Sequence, residues 1–154
     1  IERGFIDDER LAIAGGSYGG YLTAWLTTQS NRFCCGICHA GVFNFTGMYA
    51  SDISQGRARS FGEEPWQDRA AMERWSPSAF TEGLQTPMLV IHGERDYRVP
   101  VTQGLEYYGI LKAKGVEARL VYYPDEHHWI LKRENHIHWC GEVERWLQRF
   151  LGKA

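Results

Sequence analysis

A serine lies at the centre of a glycine-rich turn near the start of the chain. The run Gly15-Gly16-Ser17-Tyr18-Gly19-Gly20 follows an apolar stretch that predicts a strand and precedes a stretch that predicts a helix. The pattern G-x-S-x-G between a strand and a helix is typical of a nucleophile elbow, a strained turn that exposes a serine hydroxyl. Strand and helix crowd such a turn, so side chains at Gly15 and Gly19 are expected to clash. The backbone N–H of Tyr18 would then be placed to stabilise an oxyanion.

A serine nucleophile requires a base, and the base requires an acid that orients it. In hydrolases with this elbow the chain order is Ser, then Asp or Glu, then His. Asp96 lies just beyond Met88–Ile91, a run with the pattern of a buried strand. Parallel sheets place their chemistry at that end of a strand. The neighbouring carboxylates Glu94 and Asp125 are alternatives for the same role.

Candidates for the base follow the next predicted strand, Ala118–Tyr123. The loop after this strand carries His127 and His128, either of which could reach back over the same sheet edge. His92, at the end of the previous strand, is a third candidate. Spacing favours Asp96 with His127 or His128 and does not choose between these two histidines.

The elements that must position these residues alternate between strands and helices. We predict strands near Arg10–Ala14, Cys34–Cys38, Met88–His92 and Ala118–Tyr123, and helices near Gly19–Ser30, Thr102–Lys114 and Glu134–Phe150. Such alternation predicts an α/β fold with a parallel sheet and helices on its faces. The last helix carries an apolar stripe at helical spacing, formed by Trp139, Val143, Trp146, Leu147 and Phe150. The polar segment Ser51–Ser76 predicts loops and short helices at the rim of the site.

Composition narrows the function classes. The formal net charge is −2 and the lysines and arginines are scattered, so nothing indicates a nucleic-acid partner. No apolar run approaches the length that spans a membrane, and no membrane partner is expected. Three of the four cysteines, Cys34, Cys35 and Cys38, cluster on or beside one predicted strand, a poor geometry for mutual disulfides. Together with Cys140 they are interpreted as buried free thiols in a reducing compartment.

A metal site is the main alternative use of the ligand-type residues. His127, His128, His136, His138 and Cys140 lie close together in the sequence. The last three alternate by two within a predicted helix, which would spread them around it rather than gather them. Neither C-x-x-C nor H-E-x-x-H occurs within this stretch, so we predict no metal site.

The chain resembles the C-terminal half of the catalytic domain of the prolyl oligopeptidase family of serine peptidases, in its acylaminoacyl peptidase and dipeptidyl peptidase V branch. The resemblance extends almost end to end and is carried by Gly15–Tyr21, Phe61–Trp66, Ser76-Pro77, Thr86–Pro100 and Tyr123–Trp129. It implies a C-terminal half of an α/β-hydrolase fold with Ser17, Asp96 and His128 as the catalytic triad and Tyr18 as oxyanion donor. His127 departs from the smaller residue that usually precedes the catalytic histidine in relatives.

The resemblance also implies substrate contacts and an activity. Arg98 would donate to a main-chain carbonyl of the substrate, a role that suits its fixed fork of donors. Val42, Phe45, Met48 and Tyr49 would form an apolar specificity pocket. The implied activity is a serine-type oligopeptidase that hydrolyses short peptides and needs no cofactor. An esterase with the same triad, or an inactive fragment, is the alternative.

The same resemblance bears on domain organisation and partners. Residues 1–154 are expected to form a partial α/β-hydrolase domain that lacks its upstream strands and the β-propeller of the family. The expected partners are short peptides, the missing N-terminal part of the same protein, and, as a further candidate, a second copy of the chain. The isolated chain is expected to show little or no activity. A cytoplasmic location is expected, with the periplasm or secretion as alternatives, since relatives occur in all of these places.

Overall fold

The computed structural model describes residues 4–53, 62 and 64–152. Four strands form one parallel sheet in the order β1-β2-β3-β4: β1 Ala12–Gly16, β2 Cys35–His39, β3 Met88–Gly93 and β4 Ala118–Tyr123. The strand register pairs Gly16 with His39, His39 with Ile91, and Gly93 with Tyr123. All four strands therefore end at the same edge of the sheet, as the sequence predicted, with bounds within two residues of those expected.

Helices connect these strands. They are α1 Tyr18–Gln29, the short α2 Arg69–Glu73, α3 Thr102–Ala113 and α4 Arg133–Leu151, with 3-10 helices at Thr46–Ala50 and Pro77–Gly83. The three long helices confirm the prediction. The segment Ser51–Ser76 contains α2 and turns in its described part, and its residues 54–61 and 63 lie outside the described residues.

The two central strands, β2 and β3, are buried on both faces and consist almost entirely of apolar residues, as strands covered on both sides require. On one face Met88 and Val90 pack with residues from α1 and α3, among them Ala24, Tyr107 and Leu111. On the other face lie the alternating strand residues and α4: Cys35, Ile37, Leu89, Ile91, Val121, Tyr123 and Trp146. The apolar stripe predicted for the last helix packs into this second cluster, with Trp139, Val143, Leu147 and Phe150 beside Trp146. The prediction of helices on both faces is confirmed.

All four cysteines are free thiols. Burial raises the pKa of Cys35 to about 11 and that of Cys38 to about 12, so both remain protonated packing residues. Cys34 is half-buried, and Cys140 is exposed on α4, so the expectation of buried thiols is wrong for Cys140. Among the described residues, none of the helices combines the length and the apolar character that a membrane span requires.

Candidate active site

Ser17 occupies the turn between β1 and α1 in a strained conformation. Its φ is 58° and its ψ −119°, a region that residues other than glycine rarely adopt. Its N–H donates to the carbonyl of His39 on the neighbouring strand at 2.9 Å, and its carbonyl accepts from the N–H of Tyr21 at 3.0 Å. The backbone is thus held on both sides while the side chain is displayed above the sheet edge, as expected for a nucleophile elbow.

Two glycines near Ser17 lie where a larger residue would clash, but Gly19 of the motif does not. A Cβ at Gly15 would lie 2.1 Å from the carbonyl oxygen of Gly19, and one at Gly20 would lie 2.7 Å from the Cα of Gly41. A Cβ at Gly19 would meet no atom within 4 Å beyond its own helix and chain neighbours. The expected clash at Gly19 is therefore wrong, because Gly19 supplies the backbone that crowds Gly15 while its own Cβ would point into open space.

Three side chains from three strand ends form one hydrogen-bonded chain at this edge. His128 Nε2 lies 2.9 Å from Ser17 Oγ, and His128 Nδ1 lies 2.7 Å from Asp96 Oδ2. Because an ionised carboxylate only accepts, the His128 proton sits on Nδ1 and leaves Nε2 free to accept the serine proton. The arrangement is that of a nucleophile, a base and an orienting acid.

Asp96 is fully buried and held on both oxygens. Its Oδ1 accepts the N–H groups of Arg98 at 2.9 Å and Val99 at 2.8 Å, and its Oδ2 lies 3.4 Å from His92 Nε2 as well as beside His128. Burial alone would raise the pKa of Asp96, but the hydrogen bonds from His128, His92 and Val99 outweigh burial and lower it well below its ordinary value. The carboxylate is therefore charged at neutral pH.

The other carboxylate and imidazole candidates are engaged elsewhere. His127 is exposed, and its Nδ1 accepts the N–H of Trp129 at 3.2 Å. His92 is buried, and its Nε2 lies 2.8 Å from the carbonyl of Val99. Asp125 pairs with Lys132 and accepts from Asn135, and Glu94 is exposed. Of all these candidates, His128 is the imidazole hydrogen-bonded to Ser17, and Asp96 is the carboxylate hydrogen-bonded to His128.

The buried carboxylate of Glu126 holds the loop that carries His128 through hydrogen bonds to residues that follow the loop. Glu126 accepts the N–H of Leu131 at 3.3 Å, the N–H of Lys132 at 2.9 Å and the amide of Asn135 at 2.9 Å. Burial raises the pKa of Glu126, but these three donors prevail and lower it. The sequence analysis did not predict this role of Glu126. The one signal for it in the sequence is its position two residues before His128.

His39 lies beneath the same loop, at the end of β2. Its ring contacts Trp129 and Trp139, with centroids 6.4 and 6.1 Å away, and its Nε2 is buried with no hydrogen-bond partner among the described residues. Burial, reinforced by the charges of His92 and His128, lowers the pKa of His39 to about 4. His39 is therefore neutral wherever His128 works as a base.

A cavity of about 680 Å³ opens beside Ser17. Three of the four predicted pocket residues, Val42, Phe45 and Met48, line it. Tyr49 does not line it, because it packs behind the wall and donates its hydroxyl to Glu64. The lining that sequence reasoning missed comes from one face of α1 and from three more distant segments: Tyr21, Leu22, Trp25, Ile53, Trp75 and Val99. The spacing of Tyr21 and Trp25 on a helix is a signal that could have been found, whereas the place of Trp75 depends on tertiary structure alone.

Tyr18 and Arg98 flank Ser17. The N–H of Tyr18 is in the first turn of α1, where the helix itself supplies no acceptor, and Tyr18 lines the cavity. Arg98 lines the cavity as well, and its guanidinium pairs with Asp52 at 2.9 Å. The cavity at Ser17 therefore offers two kinds of donor, a backbone N–H and a guanidinium tethered to Asp52.

Comparison with known proteins decides the family. The model of the "Prolyl oligopeptidase family" of serine peptidases matches residues 1–154. This chain belongs to the prolyl oligopeptidase family. Two curated family relatives are both named dipeptidyl-peptidase 5. The one from Schizosaccharomyces pombe is 36% identical over 149 residues, and the one from Porphyromonas endodontalis is 37% identical over 155 residues. Those matches cover 95% and 97% of this chain and 22% of each relative, so the chain spans about a fifth of their length.

A solved structure places the fold within the same family. The acylaminoacyl peptidase of Pyrococcus horikoshii superposes with a TM-score of 0.88 at 30% identity, over 96% of this chain and 25% of that structure. The four-stranded parallel sheet with helices on both faces is thus a part of an α/β-hydrolase fold, as the sequence resemblance implied.

The histidine-rich helix of this prolyl oligopeptidase family chain does not gather its ligand-type side chains. The His136 ring stacks on Trp139 with centroids 5.7 Å apart, and its Nδ1 lies 3.2 Å from the carbonyl of Ile130. His138 faces the hydroxyl of Tyr123 at 3.0 Å instead. Within residues 4–53, 62 and 64–152, no three His, Cys, Asp or Glu side chains are grouped as metal ligands would be.

Proposed function

We propose that this chain carries the catalytic triad of a serine peptidase, with Ser17 as nucleophile, His128 as base and Asp96 as orienting acid. The observation that carries the proposal is the unbroken chain of hydrogen bonds from Ser17 Oγ through His128 to Asp96, with Ser17 on a strained elbow. Membership of the prolyl oligopeptidase family supports the reaction class.

Acylation follows from the geometry. Ser17 Oγ attacks the scissile carbonyl while His128 Nε2, 2.9 Å away, takes the hydroxyl proton. Negative charge then develops on the carbonyl oxygen, where the N–H of Tyr18 donates to it. The buried charge of Asp96 stabilises the imidazolium that has formed. Collapse of the intermediate breaks the C–N bond, and His128 returns the proton to the leaving amine.

Deacylation repeats these steps with water. His128 Nε2 takes a proton from a water molecule that attacks the acyl-enzyme ester, and the proton then passes to Ser17 Oγ as the acid product leaves. Neither step needs a group beyond the three side chains and the oxyanion donors, so the proposal requires no cofactor.

The substrates we propose are short peptides with an apolar side chain on the acyl side. Val42, Phe45, Met48, Trp25 and Trp75 give the cavity beside Ser17 an apolar wall. Arg98, at the mouth of that cavity, would donate to a main-chain carbonyl of the peptide. Relatives named as dipeptidyl-peptidases and an acylaminoacyl peptidase support peptides as the substrate class.

We further propose that activity needs the upstream part of the same protein. The curated relatives are several times longer than this chain, since it spans 22% of each. Oxyanion holes of this fold usually add an N–H from an earlier loop to the one after the nucleophile. The chain alone is therefore expected to bind a carbonyl oxygen weakly and to hydrolyse peptides slowly.

Labelling with a fluorophosphonate, followed by mass mapping, tests the proposal. The chain would be labelled alone and co-expressed with the upstream part of its protein, with Ser17→Ala as the matched control. We expect label on Ser17 in the co-expressed form and on no residue in the variant. Rates on peptide anilides and on short esters would then separate a peptidase from an esterase. An unlabelled Ser17 in both forms would refute the hydrolase proposal.

A further inference from the structure

A second cavity, of about 540 Å³, also opens at Ser17 and is lined largely by other residues than the apolar one. Ser17, Ile53 and Arg98 line both cavities, but Tyr18 lines only the first, whereas His128 lines only the second. The rest of the second lining is polar or aromatic: Asp52, Arg95, Tyr97, His127 and Trp129. The two cavities therefore divide the oxyanion donor from the base.

That division assigns a direction to a bound peptide if the proposed function holds, on which this inference rests. The scissile carbonyl oxygen must face the N–H of Tyr18, on the side of the first cavity. The leaving nitrogen must lie within hydrogen-bond reach of His128 Nε2, which returns its proton. The part of the substrate beyond the scissile bond is thus directed into the second cavity.

The second cavity is lined by two arginines, Arg95 and Arg98, and by fewer carboxylates than arginines within the described chain. Its one carboxylate within the described chain, Asp52, already pairs with Arg98 at 2.9 Å. The guanidinium of Arg95 has no ion pair or hydrogen-bond acceptor among the described residues. The neighbouring acids are engaged outside the cavity: Glu94 interacts with the hydroxyl of Tyr122, and Asp125 pairs with Lys132. Within the part of the chain that the structure describes, Arg95 is therefore an unpaired cation beside the leaving-group path.

His127 adds a second donor to this cavity. Its Nδ1 accepts the backbone N–H of Trp129 at 3.2 Å, so in the neutral ring the proton is on Nε2. An N–H on an imidazole and an unpaired guanidinium are complementary to a carboxylate. The exposed rings of Tyr97 and Trp129 line the same cavity and add apolar surface to it.

We infer that the second cavity binds the leaving group of the substrate and that Arg95 and His127 recognise its free carboxylate. The ligand is the carboxyl-terminal portion of a short peptide whose chain end lies close to the scissile bond. This site would favour cleavage near the end of a peptide over cleavage of the same bond in a blocked or longer chain.

The test uses the co-expressed, active form and two peptides that differ only at the leaving end, one with a free carboxylate and one with a carboxamide. We expect wild type to cleave the free acid with a kcat/KM about fivefold higher, the size that an exposed ion pair supports. Arg95→Gln should bring the ratio of the two kcat/KM values, acid over carboxamide, close to one. His127→Phe should reduce the preference for the free acid, and Arg95→Lys should retain part of that preference. Arg133→Gln, an exposed arginine on α4, is the matched control and should leave the preference intact.

Two results would overturn the inference. One is equal cleavage of acid and carboxamide by wild type, and the other is a preference for the acid that survives in both Arg95→Gln and His127→Phe. Fluorophosphonate labelling in the same preparations separates this failure from failure of the proposed function. If Ser17 is labelled and the carboxamide is cleaved, a missing preference counts against the carboxylate site alone. If Ser17 is unlabelled, the peptidase proposal fails and the inference falls with it.

Discussion

Replacing Asp96 by Asn tests whether the buried carboxylate sets the protonation of His128. The side-chain oxygen of Asn can still accept the N–H groups of Arg98 and Val99, which Asp96 Oδ1 holds at 2.9 and 2.8 Å. Its amide nitrogen would replace Oδ2, 2.7 Å from His128 Nδ1, and it donates where the carboxylate accepted. His128 would then present a bare Nδ1 and carry its proton on Nε2, facing Ser17. That tautomer cannot take the serine proton.

The size of the loss follows from the same geometry. Both the tautomer and the stabilisation of the imidazolium are lost, while the oxyanion donor and the cavity remain. A loss of about 10⁴-fold in kcat is typical of this change in a Ser-His-Asp triad. It corresponds to about 5.4 kcal/mol in the activation barrier. The fold should survive, because two of the hydrogen bonds to this side chain are kept.

The assay is kcat and kcat/KM on a peptide anilide, measured on the form co-expressed with its upstream part. Asp125→Asn is the matched control, since Asp125 pairs with Lys132 at the start of the same loop and does not contact His128. It should keep activity within about threefold. Thermal unfolding would verify that both variants are folded. If folded Asp96→Asn retained more than a tenth of the wild-type kcat, the argued role of Asp96 would be refuted.

Three further predictions concern the support of the triad. Gly15→Ala should abolish soluble active protein, because the new Cβ would lie 2.1 Å from the carbonyl oxygen of Gly19. Gly19→Ala places its Cβ in open space on a helix, so it should raise the free energy of unfolding, measured by urea denaturation, by up to about 1 kcal/mol. Glu126→Gln should lower kcat about tenfold with KM unchanged and lower Tm by a few degrees. The reason is that the amide nitrogen of Gln would face N–H groups that now donate to the carboxylate. A change confined to KM would contradict this role. The depressed pKa of His39, about 4 in the fold against 6.5 in the unfolded chain, means that only the unfolded chain binds this proton between those values. Stability should therefore fall by about 2 to 3 kcal/mol as pH drops from 6.5 to 4, and His39→Phe should flatten this slope in urea titrations across pH; an equal slope in the variant would show that other groups cause it.

The sequence predicted the strands and the ends at which chemistry lies because those signals are local. An apolar run followed by glycines or by a charged turn indicates a strand end, and Ser17, Asp96 and the two adjacent histidines each follow such a run. Spacing left the choice between His127 and His128 open, because a loop has no regular period that determines which of two adjacent side chains faces the site. That choice depends on how the loop is held, which involves Glu126 and residues five to nine positions later.

The walls of the apolar cavity could likewise be predicted from the sequence only where they come from one local segment. Val42, Phe45 and Met48 come from one segment that could be recognised as a unit, and they line the cavity. Trp75 lies far from them in sequence and reaches the cavity through packing of its ring against Trp25, with centroids 6.1 Å apart. No local pattern encodes such a contact between distant segments.

The order of the strands explains why the loop after β4 needs so much support. Ser17 follows β1 and His128 follows β4, so three strand spacings of about 4.8 Å, or about 14 Å, separate the two strand ends. The loop must therefore return across β3 and β2 to bring His128 to Ser17. It crosses β3 at Gly93, where a Cβ would lie 2.3 Å from the carbonyl oxygen of His127, so any other residue there requires the loop to shift. Above β2 it contacts His39 through Trp129. A wider residue at Gly93 would lift the whole loop and separate His128 from Ser17 without changing any member of the triad.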